Sequence, residues 1–129
     1  MSLYLLDTNI LIDLAGERHS SRFFERLLGD PQARLATSVL CVAEFMAGAN
    51  KKEEGFLKEW IQSGELEVFY LDSAEDAFAA GNLRKRNSLN LPDALILTSA
   101  LRTRAHLLTH DELFLKKAKE LVAASDPFR

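Results

Sequence analysis

The sequence predicts an α/β sandwich, with a central and mostly parallel sheet flanked by helices. Three observations lead there. Short apolar runs of strand length alternate with longer stretches of helical spacing along the whole chain. The joints between them carry capping and turn residues. The chain has 129 residues, with 47% apolar and 27% charged side chains, which suits one domain around one core. Residues 1–129 are accordingly expected to form a single domain.

Each element follows from its own residues. Leu3–Leu6 is a short apolar run, as expected of a buried parallel strand. Asp7-Thr8-Asn9 ends it with helix-capping chemistry, and Ile10–Ala15 is a short helix closed by Gly16. Ser20–Leu28 is a second helix, stopped by Gly29-Asp30-Pro31, and Ala33–Thr37 a second strand. Ser38 caps a helix over Val39–Ala49, and Glu53–Gln62 is again helical, with Phe56, Leu57, Trp60 and Ile61 at helical spacing. Leu66–Leu71 is a third strand. Ser73-Ala74-Glu75-Asp76 resembles a capping box and opens a helix to about Asn87. Pro92 suits the first turn of a helix over Asp93–Arg104. His106–Thr109 is a fourth strand, and Glu112–Ala124 a final amphipathic helix. Strands joined through helices imply right-handed crossovers.

Composition removes several classes of function. A single cysteine, Cys41, excludes a disulfide framework and a cysteine-based zinc site. No run approaches the roughly 18 apolar residues of a membrane span. The first residues carry no basic leader, so a soluble, cytoplasmic protein without a membrane partner is expected. The net charge of −3 argues against a passive nucleic-acid coater. Its distribution is uneven: from Arg84 to Lys119 eight basic residues face three acids, a local net of +5 that leaves −8 for the rest. A polyanion could dock on the basic part, with Arg84, Lys85 and Arg86 as candidate contacts. Solvated helix faces are the plainer explanation of the same residues.

Four carboxylates fall where this architecture places its sites, outside the carboxyl ends of parallel strands. Asp7 ends the first strand, Asp93 opens a helix, Asp111 follows the fourth strand, and Glu44 lies on the helix after the second. Glu44 is the only charge in the eleven residues Val39–Ala49. A carboxylate there stands at a solvent edge or is aimed into a cleft, because a bare buried one is costly. Asp7, Asp93 and Asp111 could each serve only as helix-start residues. Four converging carboxylates without countercharge would repel and rise in pKa, and a divalent cation is the simplest relief. Oxygen-only ligands select Mg²⁺ or Mn²⁺, and such ions assist hydrolysis of a phosphodiester backbone. The chain has no dinucleotide or P-loop fingerprint and no nucleophile elbow. His110, beside Asp111, is the one histidine near this constellation; Cys41 is expected to be a buried small hydrophobe.

Together these segments resemble the PIN-domain family, in particular VapC-type toxins of toxin–antitoxin pairs. The resemblance rests on Leu5–Asp13, Ser38–Phe45, Leu91–Ala100 and Leu107–Phe114, in that order over nearly the whole chain. It implies a PIN-like three-layer sandwich and a ribonuclease that uses Mg²⁺ or Mn²⁺. It also implies a cognate small antitoxin as partner and a homodimer. Asp7, Glu44, Asp93 and Asp111 correspond to the family's metal and catalytic acids. Thr8, Asn9 and Thr109 are polar positions beside them, and Glu112 could share or replace the role of Asp111. Cys41 stands where many relatives have Thr, and His110 where many have Asn or Arg. Two other readings stay open: a PIN-fold RNA-processing nuclease without an antitoxin, and a catalytically inactive PIN-fold binding module. A phosphoacceptor receiver domain fits poorly, since Asp7 is followed by Thr8 and no Asp lies between Glu44 and Leu71.

Overall fold

A computed structural model describes residues 2–16 and 22–128. The expected start of the second helix at Ser20, and His19, lie outside the described residues. In chain order the elements are β1 (Ser2–Leu6), α1 (Thr8–Ala15), α2 (Arg22–Gly29), β2 (Ala33–Ser38), α3 (Val39–Gly48) and α4 (Lys51–Gln62). They continue with β3 (Leu66–Phe69), α5 (Ala74–Asn87), α6 (Leu91–Thr103), β4 (His106–Leu108), α7 (Glu112–Ala118) and β5 (Ala124–Ser125). Among the described residues no helix is long and apolar enough to cross a membrane.

The five strands form one sheet in the order β3-β2-β1-β4-β5, and every neighbouring pair is parallel. The chain first builds outward from β1 through β2 to β3. It then crosses back to place β4 on the other side of β1. With right-handed crossovers, this reversal puts helices on both faces and opens a crevice at the carboxyl ends of β1 and β4. The sheet is fully parallel, where a mostly parallel one was expected.

The core explains why the central strands are apolar without alternation. Leu5, Leu6, Leu107 and Leu108 are all fully buried, because a parallel strand between two helical layers buries both faces. The large apolar groups of the second and fourth helices divide between core and surface, with Phe23, Trp60 and Ile61 at the boundary. Phe24 and Leu27 enter the core, while Leu28 is 59% exposed and Phe56, ring-to-ring with Trp60 at 5.5 Å, is 38% exposed.

Several boundaries shift for local physical reasons. The fourth helix starts at Lys51, before the expected Glu53, because Asn50 and Glu53 form a reciprocal capping box. The sixth starts at Leu91, because the Asn90 side chain accepts from the Asp93 amide at 2.8 Å. At the fifth helix only half of the expected box forms. Ser73 accepts from the Asp76 amide, but the buried Asp76 carboxylate turns instead to Arg102 at 2.6 Å. The last helix stops at Ala118, not Ala124, and the chain returns to add β5 beside β4. Two backbone bonds across this pair, Leu107 N–H to Ala123 O at 2.9 Å and Thr109 N–H to Ser125 O at 3.2 Å, decide it. Good helix-forming residues are thereby held extended.

Leu107 is fully enclosed on β4, between β1 and β5. Leu107→Ala is expected to lower stability by about 3 kcal/mol, through the smaller transfer energy and the cavity left behind. Urea denaturation, with an unchanged slope and a reduced midpoint, checks this.

Candidate active site

The site grows from the end of β1. Leu6 is the last strand residue, and its carbonyl accepts the buried Thr37 hydroxyl at 2.8 Å from the neighbouring strand. The next residue, Asp7, bonds its amide to Leu108 O of β4 at 3.0 Å. The chain then turns into α1, with Asp7 as the N-cap. A carboxylate is thus set into the crevice between β1 and β4, only 7% exposed.

Four donors converge on it. Oδ1 accepts the Thr8 amide at 2.8 Å and the Cys41 thiol at 3.9 Å. Oδ2 accepts the Thr109 hydroxyl at 2.8 Å and the Asn9 carboxamide at 3.4 Å. Thr109 Oγ1 also accepts from Asn9 Nδ2 and from the Asp111 amide, each at 3.2 Å. Its one donor and two acceptor positions are therefore all used.

The other three acids approach from separate elements. Glu44 lies on the exposed side of α3 and accepts the Thr8 hydroxyl at 3.3 Å. It is a solvent-edge residue and is also turned toward the cleft. Asp93 sits half-buried in the first turn of α6. Asp111 caps α7, with Oδ1 accepting the Leu113 and Phe114 amides at 3.1 Å each. Asp93 and Asp111 face one cleft of about 230 Å³, shared with Asn90, Leu113, Phe114 and Lys117. Each expected helix-start role is real, and the acids still gather in one place.

Electrostatics report the gathering. Asp7 is raised above the usual carboxylate range, first by burial and then by the charges of Glu44 and Asp111; the Thr109 and Thr8 bonds oppose the rise. Asp93 is pushed up to about 6, first by burial and then by Asp7, Asp111 and Glu44. The charges of Glu44 and Asp111 reach both Asp7 and Asp93, and the charge of Asp7 also reaches Asp93. Glu112 is exposed in the first turn of α7. Burial, followed by the charge of Asp7, pushes the Cys41 thiol up to about 11, so it stays a neutral donor rather than a nucleophile.

The structure brings together Asp7, Glu44, Asp93, Asp111, Thr8, Asn9 and Thr109. It keeps Arg84, Lys85 and Arg86 in the last turn of α5, outside the lining of the acidic cleft. Arg84 Nε donates to Leu89 O at 3.3 Å and so ties that turn to the loop leading to Asn90. The cation that lines the cleft is Lys117, whose ammonium reaches Ser88 O at 2.9 Å. Lys117 belongs to the basic tract of the sequence, but only the packing of α7 against the α5–α6 loop distinguishes it. Asp13 has no distinguishing mark in the sequence beyond lying one helical turn from Asn9. It is buried and pairs with His110 at 2.6 Å.

Among the described residues no three His, Cys, Asp or Glu side chains form a ready-made metal cage. The donor set still fits a hard cation: four carboxylates, each from a different element, two of them raised in pKa by burial and crowding. An open arrangement of this kind suits Mg²⁺, which keeps several waters and takes only one or two carboxylates directly.

Comparison with known proteins identifies the family and the fold. A family model described as PIN domain matches residues 4–120. A toxin–antitoxin complex from Klebsiella pneumoniae contains a chain 30% identical to this one, with a TM-score of 0.71 over 98% of both chains. VapBC2 from Rickettsia felis, bound to a DNA fragment from its promoter, is 25% identical, with a TM-score of 0.73 over 96% of this chain and 98% of that one. VapBC-1 from nontypeable Haemophilus influenzae shares the fold at 22% identity and a TM-score of 0.72, over 98% of this chain and 99% of that one. A comparison with curated proteins found no match. The match over residues 4–120, on a parallel sheet whose carboxyl edge gathers four acids, places this chain in the PIN domain family.

Proposed function

We propose that this chain is an endoribonuclease dependent on Mg²⁺ or Mn²⁺ and the VapC-type toxin of a toxin–antitoxin pair, with residues 1–129 working as one nuclease domain. The observation that carries the reading is the gathering of four acids at the carboxyl edge of the sheet: Thr8 joins Asp7 to Glu44, Thr109 joins Asp7 to Asp111, and Asp93 shares a cleft with Asp111. The likeness to chains from toxin–antitoxin complexes supports the biological role. It favours a cognate small antitoxin and a second copy of this chain as protein partners. Four acids in place speak against an inactive binding module.

Asp7, Asp93, Glu44 and Asp111 would hold the cation. When bound, it would supply positive charge at the scissile phosphate and acidify a water. The chain's own residues do the rest. Thr109 and Asn9 fix Oδ2 of Asp7, and the Thr8 amide fixes Oδ1, so the most buried acid is set before any ligand arrives. Asn90 anchors the amide of Asp93. Lys117 on the cleft wall, with Arg84, Lys85 and Arg86 beyond it, would hold phosphates away from the cut. An acidic pocket with a basic rim separates binding of the cation from binding of the polyanion.

Purified protein should cleave RNA in Mg²⁺ or Mn²⁺, and Asp7→Asn should reduce cleavage by at least about 100-fold, more than removal of one supporting hydrogen bond would cause. Mapping of new RNA 5′ ends after induced expression of each form checks this. Intact RNA with the wild type, at any divalent ion, would overturn the reading.

A pH dependence of stability is also expected. Asp93 is raised to about 6 from an ordinary value of 3.8, so folding favours its protonated form. That contribution is fully present below the unfolded value and disappears as pH rises through the folded one. Metal-free protein should therefore lose stability between about pH 4 and 6, by on the order of 1 kcal/mol after solvent screening of a half-exposed group. Asp93→Asn should flatten that fall, and millimolar Mg²⁺ or Mn²⁺ should restore wild-type Tm at neutral pH by binding the folded state. Thermal denaturation across pH, with and without the ion, reads both effects.

On the last turn of α5, charge reversal of Lys85 and Arg86, which leaves the Arg84 tie to Leu89 in place, should weaken RNA binding and lower its salt dependence, by roughly 0.7 log units for each phosphate no longer neutralised. The metal-induced Tm shift should be unchanged. Fluorescence titration with single-stranded RNA at several salt concentrations measures this.

A further inference from the structure

Asp13 is, with Asp76, a buried acid that the proposed chemistry leaves unused. It lies in α1, 8% exposed, one turn after Asn9. Its Oδ2 meets His110 Nε2 at 2.6 Å. His110 sits in the β4–α7 loop between Thr109 and Asp111, and its ring also packs against Phe128, with centroids 6.0 Å apart. The ring is therefore held from two sides. The same loop meets α1 a second time, where the His110 amide donates to Asn9 Oδ1 at 3.3 Å.

These two links bear on the site through one carboxamide. With its oxygen engaged by the His110 amide, Asn9 must present its nitrogen the other way. That nitrogen reaches Asp7 Oδ2 at 3.4 Å and Thr109 Oγ1 at 3.2 Å. Thr109 in turn donates to Asp7 and accepts from the Asp111 amide. A continuous series of hydrogen bonds thus runs from Asp13 through His110 and Asn9 to Asp7 and Asp111, the acids at the ends of the two central strands.

We propose that Asp13 and His110 are positioning residues that clamp the β4–α7 loop onto α1 and so hold Asp7 and Asp111 in register for the cation. The inference rests on the nuclease reading and extends it to a pair outside the four acids. The role assigned to both is indirect. Both act through the orientation of Asn9 and the placement of the loop. Outer partners that orient metal ligands commonly change metal affinity by about 10- to 100-fold when removed, because they set the direction of the ligating groups.

The test uses Mn²⁺ as probe and the whole chain, with calorimetric affinity, RNA cleavage and Tm measured for wild type, His110→Ala, His110→Gln, Asp13→Asn and the Asp13→Asn/His110→Ala pair. His110→Ala and Asp13→Asn are each expected to weaken Mn²⁺ binding and lower kcat by about 10-fold, with KM for RNA little changed. The double variant should be no worse than the worse single one, since the two act as one device. His110→Gln keeps an N–H near the position of Nε2 and should recover most of the loss. Wild-type Mn²⁺ affinity in His110→Ala, measured well below its Tm, overturns the clamp even if that Tm falls, since a purely stabilising role would lower Tm alone. Additive losses in the double variant, or no recovery in a folded His110→Gln, also overturn it. Those results leave the nuclease reading standing. Absence of both Mn²⁺ binding and cleavage in the wild type overturns that reading and the clamp with it.

Discussion

The placement of one carboxylate, that of Asp7, governs the rest of the molecule. It is nearly buried, raised in pKa, and held at the point where β1 ends and α1 begins. A charge so placed is costly unless its oxygens are satisfied. The Thr8 amide, the Thr109 and Cys41 side chains and the Asn9 carboxamide meet that demand. The hydrogen bonds from Thr109 and Thr8 oppose the desolvation without cancelling it, since the net shift remains upward. The remaining imbalance is what a cation would relieve.

Sheet topology makes this placement possible. Asp7 and Asp111 are more than 100 residues apart, yet both follow strands that are neighbours at the centre of the sheet. The reversal of strand order around β1 leaves a crevice that no crossover covers. Helices that start at this edge bring their first-turn acids with them. Capping and site formation are therefore one arrangement: Asp7 caps α1, Asp111 caps α7, and Asp93 opens α6. A residue can satisfy a helix end through one oxygen and still direct its charge into the cleft.

Stability and activity pull against each other here. Burial and the neighbouring charges of Asp7, Asp111 and Glu44 raise Asp93, so its ionised form opposes folding, while fully buried Leu5, Leu6, Leu107 and Leu108 stabilise the frame. The acids attach to the ends of this close-packed frame. Of the basic residues, Arg84, Lys85 and Arg86 stand on the last turn of α5, outside the lining of the cleft, while Lys117 of α7 stands on its wall.

Local signals in the chain are enough to read the alternation of strands and helices, the parallel sheet, and four candidate acids: three at helix starts and one, Glu44, within an apolar helix. They are the apolar run Leu3–Leu6, the caps Asp7, Ser38 and Ser73, and the lone charge of Glu44 in an apolar helix. Features that depend on distant partners become visible only in the packed molecule. Ala124–Ser125 forms β5, because the unpaired backbone groups of β4 outweigh helix propensity there. Asp76 turns from capping partner into the partner of Arg102, and Lys117 rather than the Arg84–Arg86 triplet is the cation on the cleft wall. Asp13 joins His110 across 97 residues. Such pairings leave no local periodicity or cap to read, since they depend on which faces meet once the chain is packed.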